Sequence, residues 1–118
     1  MQMNKSQNID DFAEKVFFVV NKIPSGKVTT YGAIAQKCGM KSSARQVGYL
    51  LKIWAKQYAL PYHRVINRKG ILTGKNAFGT TSGVNNMVSL LEIEGIIVND
   101  DKVDIKLYEW DMNEINNL

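Results

Sequence analysis

The chemistry open to this chain centres on Pro61-Tyr62-His63-Arg64-Val65-Ile66-Asn67, where a phenol, the only imidazole and a guanidinium stand on consecutive residues. An imidazole can serve as a base, so the first matter is what it could activate. The single thiol, Cys38, is one candidate, and sequence separation does not bar a Cys38–His63 pair. Cys38, however, falls on the apolar face of a helical pattern, where packing is the commoner role. Tyr62 is a poor nucleophile, because a phenol ordinarily ionises only near pH ~10. Taken alone, His63 reads as a satisfied core residue that donates to Glu94 or to a carbonyl. One His and one Cys cannot build a zinc site. No phosphate loop, nucleophile elbow or dinucleotide fingerprint is present. The expectation is therefore no metal and no cofactor.

The elements that position this stretch follow from apolar spacing. Residues 61–67 read as a short extended run, with Tyr62 and Arg64 on one face and His63 and Val65 on the other. Upstream, Phe12, Val16, Phe17, Val20 and Ile23 predict an amphipathic helix over 9–22. Asn8 or Asp10 caps it, and Pro24-Ser25-Gly26 ends it. Thr29 or Thr30 caps a second helix with Ile34, Ala35 and Cys38 inward and Gly39 at its end. Ser42 or Ser43 caps a third, over 44–55, whose stripe is Val47, Leu50, Leu51 and Trp54. Two short helices joined by a glycine-containing turn are a helix-turn-helix signal. Arg45 and Gly48 share one face of its second helix. Glycine inside a helix costs roughly 1 kcal/mol relative to alanine. That cost is tolerable where a nucleic acid strand, or the first helix, must come very close.

Downstream, Ile71-Leu72-Thr73 reads as a partner strand and residues 74–83 as a flexible loop of the kind that carries binding. A helix over 84–94 buries Val84, Met87, Val88 and Leu91. Residues 96–98, 99–102 and 103–107 read as strand, turn and strand, a hairpin closed onto the domain by Tyr108 and Trp110. The fold class expected is α+β: a winged helix-turn-helix type of single domain spanning 1–118, with flexible ends at 1–7 and 112–118.

Composition agrees with a nucleic-acid partner without demanding one. The chain has 118 residues, 15 Lys+Arg against 11 Asp+Glu and a net charge of +4, with a pI near 9.2. Most basic side chains precede residue 75 and the C-terminal third is acidic, which suggests a basic face and an acidic back. One cysteine excludes an internal disulfide framework and suits a reducing compartment. No apolar run approaches membrane length, so a soluble protein is expected.

The motifs Lys27-Val28-Thr29-Thr30-Tyr31-Gly32-Ala33-Ile34-Ala35, Ala44-Arg45-Gln46-Val47-Gly48, Pro61-Tyr62-His63-Arg64-Val65-Ile66-Asn67 and Leu91-Glu92-Ile93-Glu94-Gly95 come in this order. Together they resemble the DNA-binding domain of the O6-alkylguanine-DNA alkyltransferases over residues 9–110. In those enzymes a cysteine takes the alkyl group where this chain has Tyr62. A tryptophan there marks the alkyltransferase-like proteins, which bind the lesion without repairing it. The chain resembles that non-enzymatic branch, with Tyr in place of the commoner Trp.

The resemblance implies a helix-turn-helix set into the minor groove, with Ser43, Ala44 and Gly48 on its DNA-facing helix. It implies that Arg45 is the finger entering the base stack and that Tyr31 presses on the phosphate beside the flipped nucleotide. Tyr62, Tyr31 and the loop 71–78 would wall the lesion pocket, with Lys75 as a cation near the guanine. His63 and Glu94 match the pair that activates the cysteine; with no thiol to activate, they become a structural pair, while Arg64 buttresses the fold. The family's asparagine at the end of the recognition helix is replaced by Ile53-Trp54.

The implied partners are double-stranded DNA containing alkylated guanine and nucleotide excision repair proteins, with no membrane and a monomeric chain. The implied compartment is the cytoplasm, on the nucleoid, in a prokaryote, or the nucleus in a eukaryote. Two other functions fit parts of the pattern: an active methylated-DNA-protein-cysteine methyltransferase, and a general winged-helix DNA-binding regulator.

Overall fold

Asp10 starts the first helix by accepting a hydrogen bond from the Ala13 amide at 2.9 Å, a side-chain cap for an otherwise unpartnered N–H. The computed structural model describes residues 10–40, 43–72 and 81–115, with the backbone alone for 81–85. The flexible segment expected at 1–7 lies outside the described residues, as do 116–118 and Lys75.

Helix α1 (Asp11–Lys22) buries Ala13, Val16, Phe17, Val19 and Val20. Strand β1 (Thr29–Thr30) leads directly into α2 (Tyr31–Lys37), whose cap is the Thr30 hydroxyl on the Ala33 amide. Helix α3 (Ala44–Trp54) follows and buries Val47 and Leu51 against it. Ser43 occupies the cap position of α3 but makes no capping hydrogen bond with its side chain. Beyond lie β2 (Val65–Ile66), α4 (Thr81–Ile93), β3 (Val98–Asn99), β4 (Lys102–Val103) and the single turn of α5 (Ile105–Tyr108). β1 and β2 pair in parallel, Thr29 with Val65 and Thr30 with Ile66. β3 and β4 form the antiparallel hairpin.

Two apolar clusters fill the interior. The larger joins α1, α2 and α3 with Val65, Trp110 and Ile115. The smaller joins Val28, Ile66 and Leu72 with Met87 and Leu91 of α4, plus Ile96 and Val103. Tyr62 packs against both. The segment after α5 returns to the start of β1: Val28 donates to the Tyr108 carbonyl and Trp110 donates to the Val28 carbonyl.

Several expectations are corrected. Residues 61–67 are not one extended run: Tyr62–Arg64 form a 3-10 turn, and only Val65–Ile66 are strand. The turn closes because the Arg64 amide donates to the Pro61 carbonyl. It places His63 and Arg64 on the same side, not on opposite faces. The partner of β2 is β1, not Ile71-Leu72-Thr73; Ile71 makes one isolated bridge to Lys102. The strand expected over 103–107 stops at Val103, where the Asp104 carboxylate accepts from the Lys106 amide and turns the chain into α5. Residues 81–83, expected in the loop, are the first turn of α4. Nor do 112–115 fray: Met112–Glu114 form a 3-10 turn and Ile115 is buried.

The end of α3 carries a local conflict. After it, Leu60 donates to the Ala55 carbonyl and Ala59 to the Lys56 carbonyl, the paired bonds of a Schellman motif. The residue at the left-handed position is Ala59, at φ 53°. In the matching motifs after α2 and α4 that position is Gly39 and Gly95. A β-carbon in this conformation costs about 1 kcal/mol. Ala59→Gly is therefore expected to raise stability by about 1 kcal/mol, read as a higher midpoint in urea at unchanged slope.

Candidate nucleic-acid interface

His63 and Arg64 converge on one carboxylate. Glu94 Oε2 lies 2.7 Å from His63 Nε2 and accepts from Arg64 Nη2 at 2.7 Å. Arg64 Nε bridges both carboxylate oxygens at 3.1 Å, and Arg64 Nη1 donates to the Ile23 carbonyl at 2.8 Å. The Gly26 amide donates to Glu94 Oε1 at 2.9 Å. Burial by itself would raise the Glu94 carboxyl above its ordinary value. The hydrogen bonds from Arg64, from the Gly26 amide and from His63 outweigh it and bring the group down to about 2. The sequence singled out His63, Arg64 and Glu94; the Ile23 carbonyl and the Gly26 amide carried no signal beyond the end of a helix.

Tyr62 sits at the mouth of this network. Its half-buried ring meets the edge of the His63 ring, with centroids 6.2 Å apart and planes at 90°. Its hydroxyl accepts from the Asn86 side-chain amide at 2.8 Å. Asn86 gave no sequence signal: it is a polar residue on the outer side of a helix.

The second half of the site is the face of α3. Arg45 is exposed, and Ser43, Ala44 and Gly48 are part-exposed. Tyr31, the first residue of α2, packs on the larger cluster and turns its ring to Gly48. A β-carbon built on Gly48 would lie 3.7 Å from Tyr31 Cε1, an ordinary contact. The protein's own packing therefore leaves room for alanine at 48, and close approach of the first helix does not account for the glycine. Tyr49 and Ile53, exposed to 64% and 45%, continue the outward row from Arg45 at four-residue spacing.

Cys38 is elsewhere. It is buried in the larger cluster, and burial, partly opposed by Lys15, pushes its thiol up to about 11. A thiol so protonated is a weak nucleophile. Among the described residues no group of three or more His, Cys, Asp or Glu side chains is placed to hold a metal ion.

A helix-turn-helix that presents an arginine and a glycine, in a chain that also carries a small antiparallel hairpin, defines a DNA-binding module of the winged-helix class. More closely, residues 11–96 match the 6-O-methylguanine DNA methyltransferase, DNA binding domain, and the chain belongs to that family. It is 37% identical to the DNA base-flipping protein of Escherichia coli, over 92% of this chain and 81% of that protein. It is 36% identical to Alkyltransferase-like protein 1 of Schizosaccharomyces pombe, over 86% of this chain and 96% of that one. The structure of S. pombe Atl1 in complex with damaged DNA containing O6-carboxymethylguanine superposes with a TM-score of 0.76 at 35% identity, covering 94% of this chain and 99% of that one.

The Glu94 carboxyl holds its proton less tightly folded than unfolded. The stability it contributes is thus complete above its ordinary value of 4.5 and is lost as pH falls toward about 2. Glu94→Gln is expected to lower stability at neutral pH by about 3 kcal/mol, the cost of stranding a buried partner. It should also flatten the fall of Tm across that acid window. Thermal melts from neutral to acid pH read both effects, and parallel curves for the two proteins would refute this account of the network.

Proposed function

We propose that this chain binds O6-alkylguanine in duplex DNA, inserting its helix-turn-helix in the minor groove and turning the damaged nucleotide out of the stack, and that it transfers no alkyl group. The observation that carries the reading is the pairing of a stacking ring with a spent base. By the resemblance of Pro61-Tyr62-His63-Arg64 to the enzymes' motif, Tyr62 takes the place of their acceptor cysteine. His63 beside it is bound to Glu94, and the only thiol is locked in the core. The relatives named for base flipping and the neighbour bound to O6-carboxymethylguanine DNA support the same reading.

Each side chain has a part in it. Arg45 enters the stack from α3 and occupies the vacated space. Tyr31 presses on the backbone beside the extruded nucleotide. Ala44 and Gly48, with Ser43, let α3 sit close in the groove. Tyr62 stacks on the base, an interaction of about 1–3 kcal/mol, against a flipping cost that is smallest where damage already weakens the pair. Lys75 supplies a cation near the altered guanine. The bound complex flags the lesion for nucleotide excision repair, with one monomer per flipped base.

Binding to duplexes with and without a single O6-methylguanine, at stated salt, tests the reading. A clear preference for the lesion is expected, and equal affinities would favour a general winged-helix regulator. Label transferred from methylated DNA to the protein would instead make it a methyltransferase. Arg45→Ala and Tyr31→Ala should each weaken lesion binding about tenfold; a variant binding like the parent would lose its assigned part. Gly48→Ala separates fold from function. It should stabilise α3 by up to about 1 kcal/mol yet weaken duplex binding about tenfold, since a methyl forced into a close contact costs about 1–3 kcal/mol.

A further inference from the structure

We infer that Asn86 is a positioning residue for the lesion pocket: its side-chain amide holds the Tyr62 ring in the orientation that receives an extruded base. The inference rests on the lesion-binding reading above and adds a residue to it. Asn86 Nδ2 donates to Tyr62 Oη at 2.8 Å. Tyr62 is thereby held at both ends, by the 3-10 turn at its backbone and by α4 at its hydroxyl.

The chain segment that supplies Asn86 also supplies Glu94, which takes His63 and Arg64. Successive residues of the turn are thus each fixed from the same side of the molecule: Tyr62 by Asn86, and His63 and Arg64 by Glu94. The two anchors differ in what they give the fold. Glu94 is charged and its side chain is largely covered, whereas Asn86 is exposed, and an exposed neutral hydrogen bond adds little to stability. Asparagine is also among the poorer helix formers. The profit of the Asn86 bond lies in binding. A ring already oriented before the base arrives loses less freedom on forming the complex. The pair is also matched in chemistry. A phenol oxygen accepts from an amide, whereas an indole N–H only donates, so a tryptophan at 62 could not accept this bond. The tyrosine at 62 and the asparagine at 86 are therefore read as one unit.

A double-mutant cycle tests this. Wild type, Asn86→Ala, Tyr62→Phe and the double variant are each titrated with a duplex carrying one O6-methylguanine and with the same duplex unmodified, and each is melted. Asn86→Ala is expected to reduce the ratio of lesion to unmodified affinity about three- to tenfold, the worth of one neutral hydrogen bond. Its Tm should stay within about 2 °C of wild type. In the Tyr62→Phe background the same substitution should change the ratio no further. An unchanged ratio in Asn86→Ala, or an equal loss in both backgrounds, would overturn the inference while leaving lesion binding intact. A wild-type protein that does not distinguish the two duplexes would overturn the lesion-binding reading itself, and this inference with it.

Discussion

Glu94, with nine-tenths of its side chain out of solvent, takes hydrogen bonds from the Arg64 guanidinium, the His63 imidazole and the Gly26 amide. The rest of the structure depends on that convergence. Removing one member of a buried charged set leaves its partner stranded at a cost of several kcal/mol. The turn after α1, the turn at 62–64 and the end of α4 must therefore come together at once. Arg64 completes the closure by donating to the Ile23 carbonyl at the end of α1. With the turn fixed in this way, β2 meets β1 in a single register and Tyr62 is left at the junction of the two apolar clusters.

The same constraint orders the face that carries Arg45. β1 runs straight into α2, so its pairing with β2 fixes where Tyr31 begins that helix. Tyr31 then meets Gly48 of α3, and the face bearing Arg45 is set relative to the turn. In the proposed reading recognition needs no chemistry from these groups. The imidazole serves the fold, the phenol serves the base, and the thiol of Cys38 serves the core.

Much of the fold was legible because it is local. The stripes of α1, α2 and α3 and the glycines at 39 and 95 follow from backbone and side-chain preferences within a few residues, and the caps Asp10 and Thr30 were each one of two residues that the local pattern offered. The failures came where a distant partner decides. Residues 61–67 have the composition of a strand, yet Glu94 draws His63 and Arg64 to one side, and a 3-10 turn permits what a pleat forbids. Residues 103–107 alternate like a strand, yet the Asp104 carboxylate caps a helical turn at once. The left-handed conformation of Ala59 gave no local sign either, since alanine does not announce it.

The candidate site divides along the same line. Residue types and their order alone determined the helix-turn-helix, the arginine and glycine on its second helix, and the phenol set beside the only imidazole, because these are statements about identity and spacing. Only the tertiary structure decided that His63 and Arg64 share one carboxylate, that Gly48 has room for a methyl beside Tyr31, and that Asn86 reaches the Tyr62 hydroxyl. Those facts rest on side chains from separate elements meeting within a few ångströms. Such meetings are set by how helices and strands pack, and no local propensity encodes them.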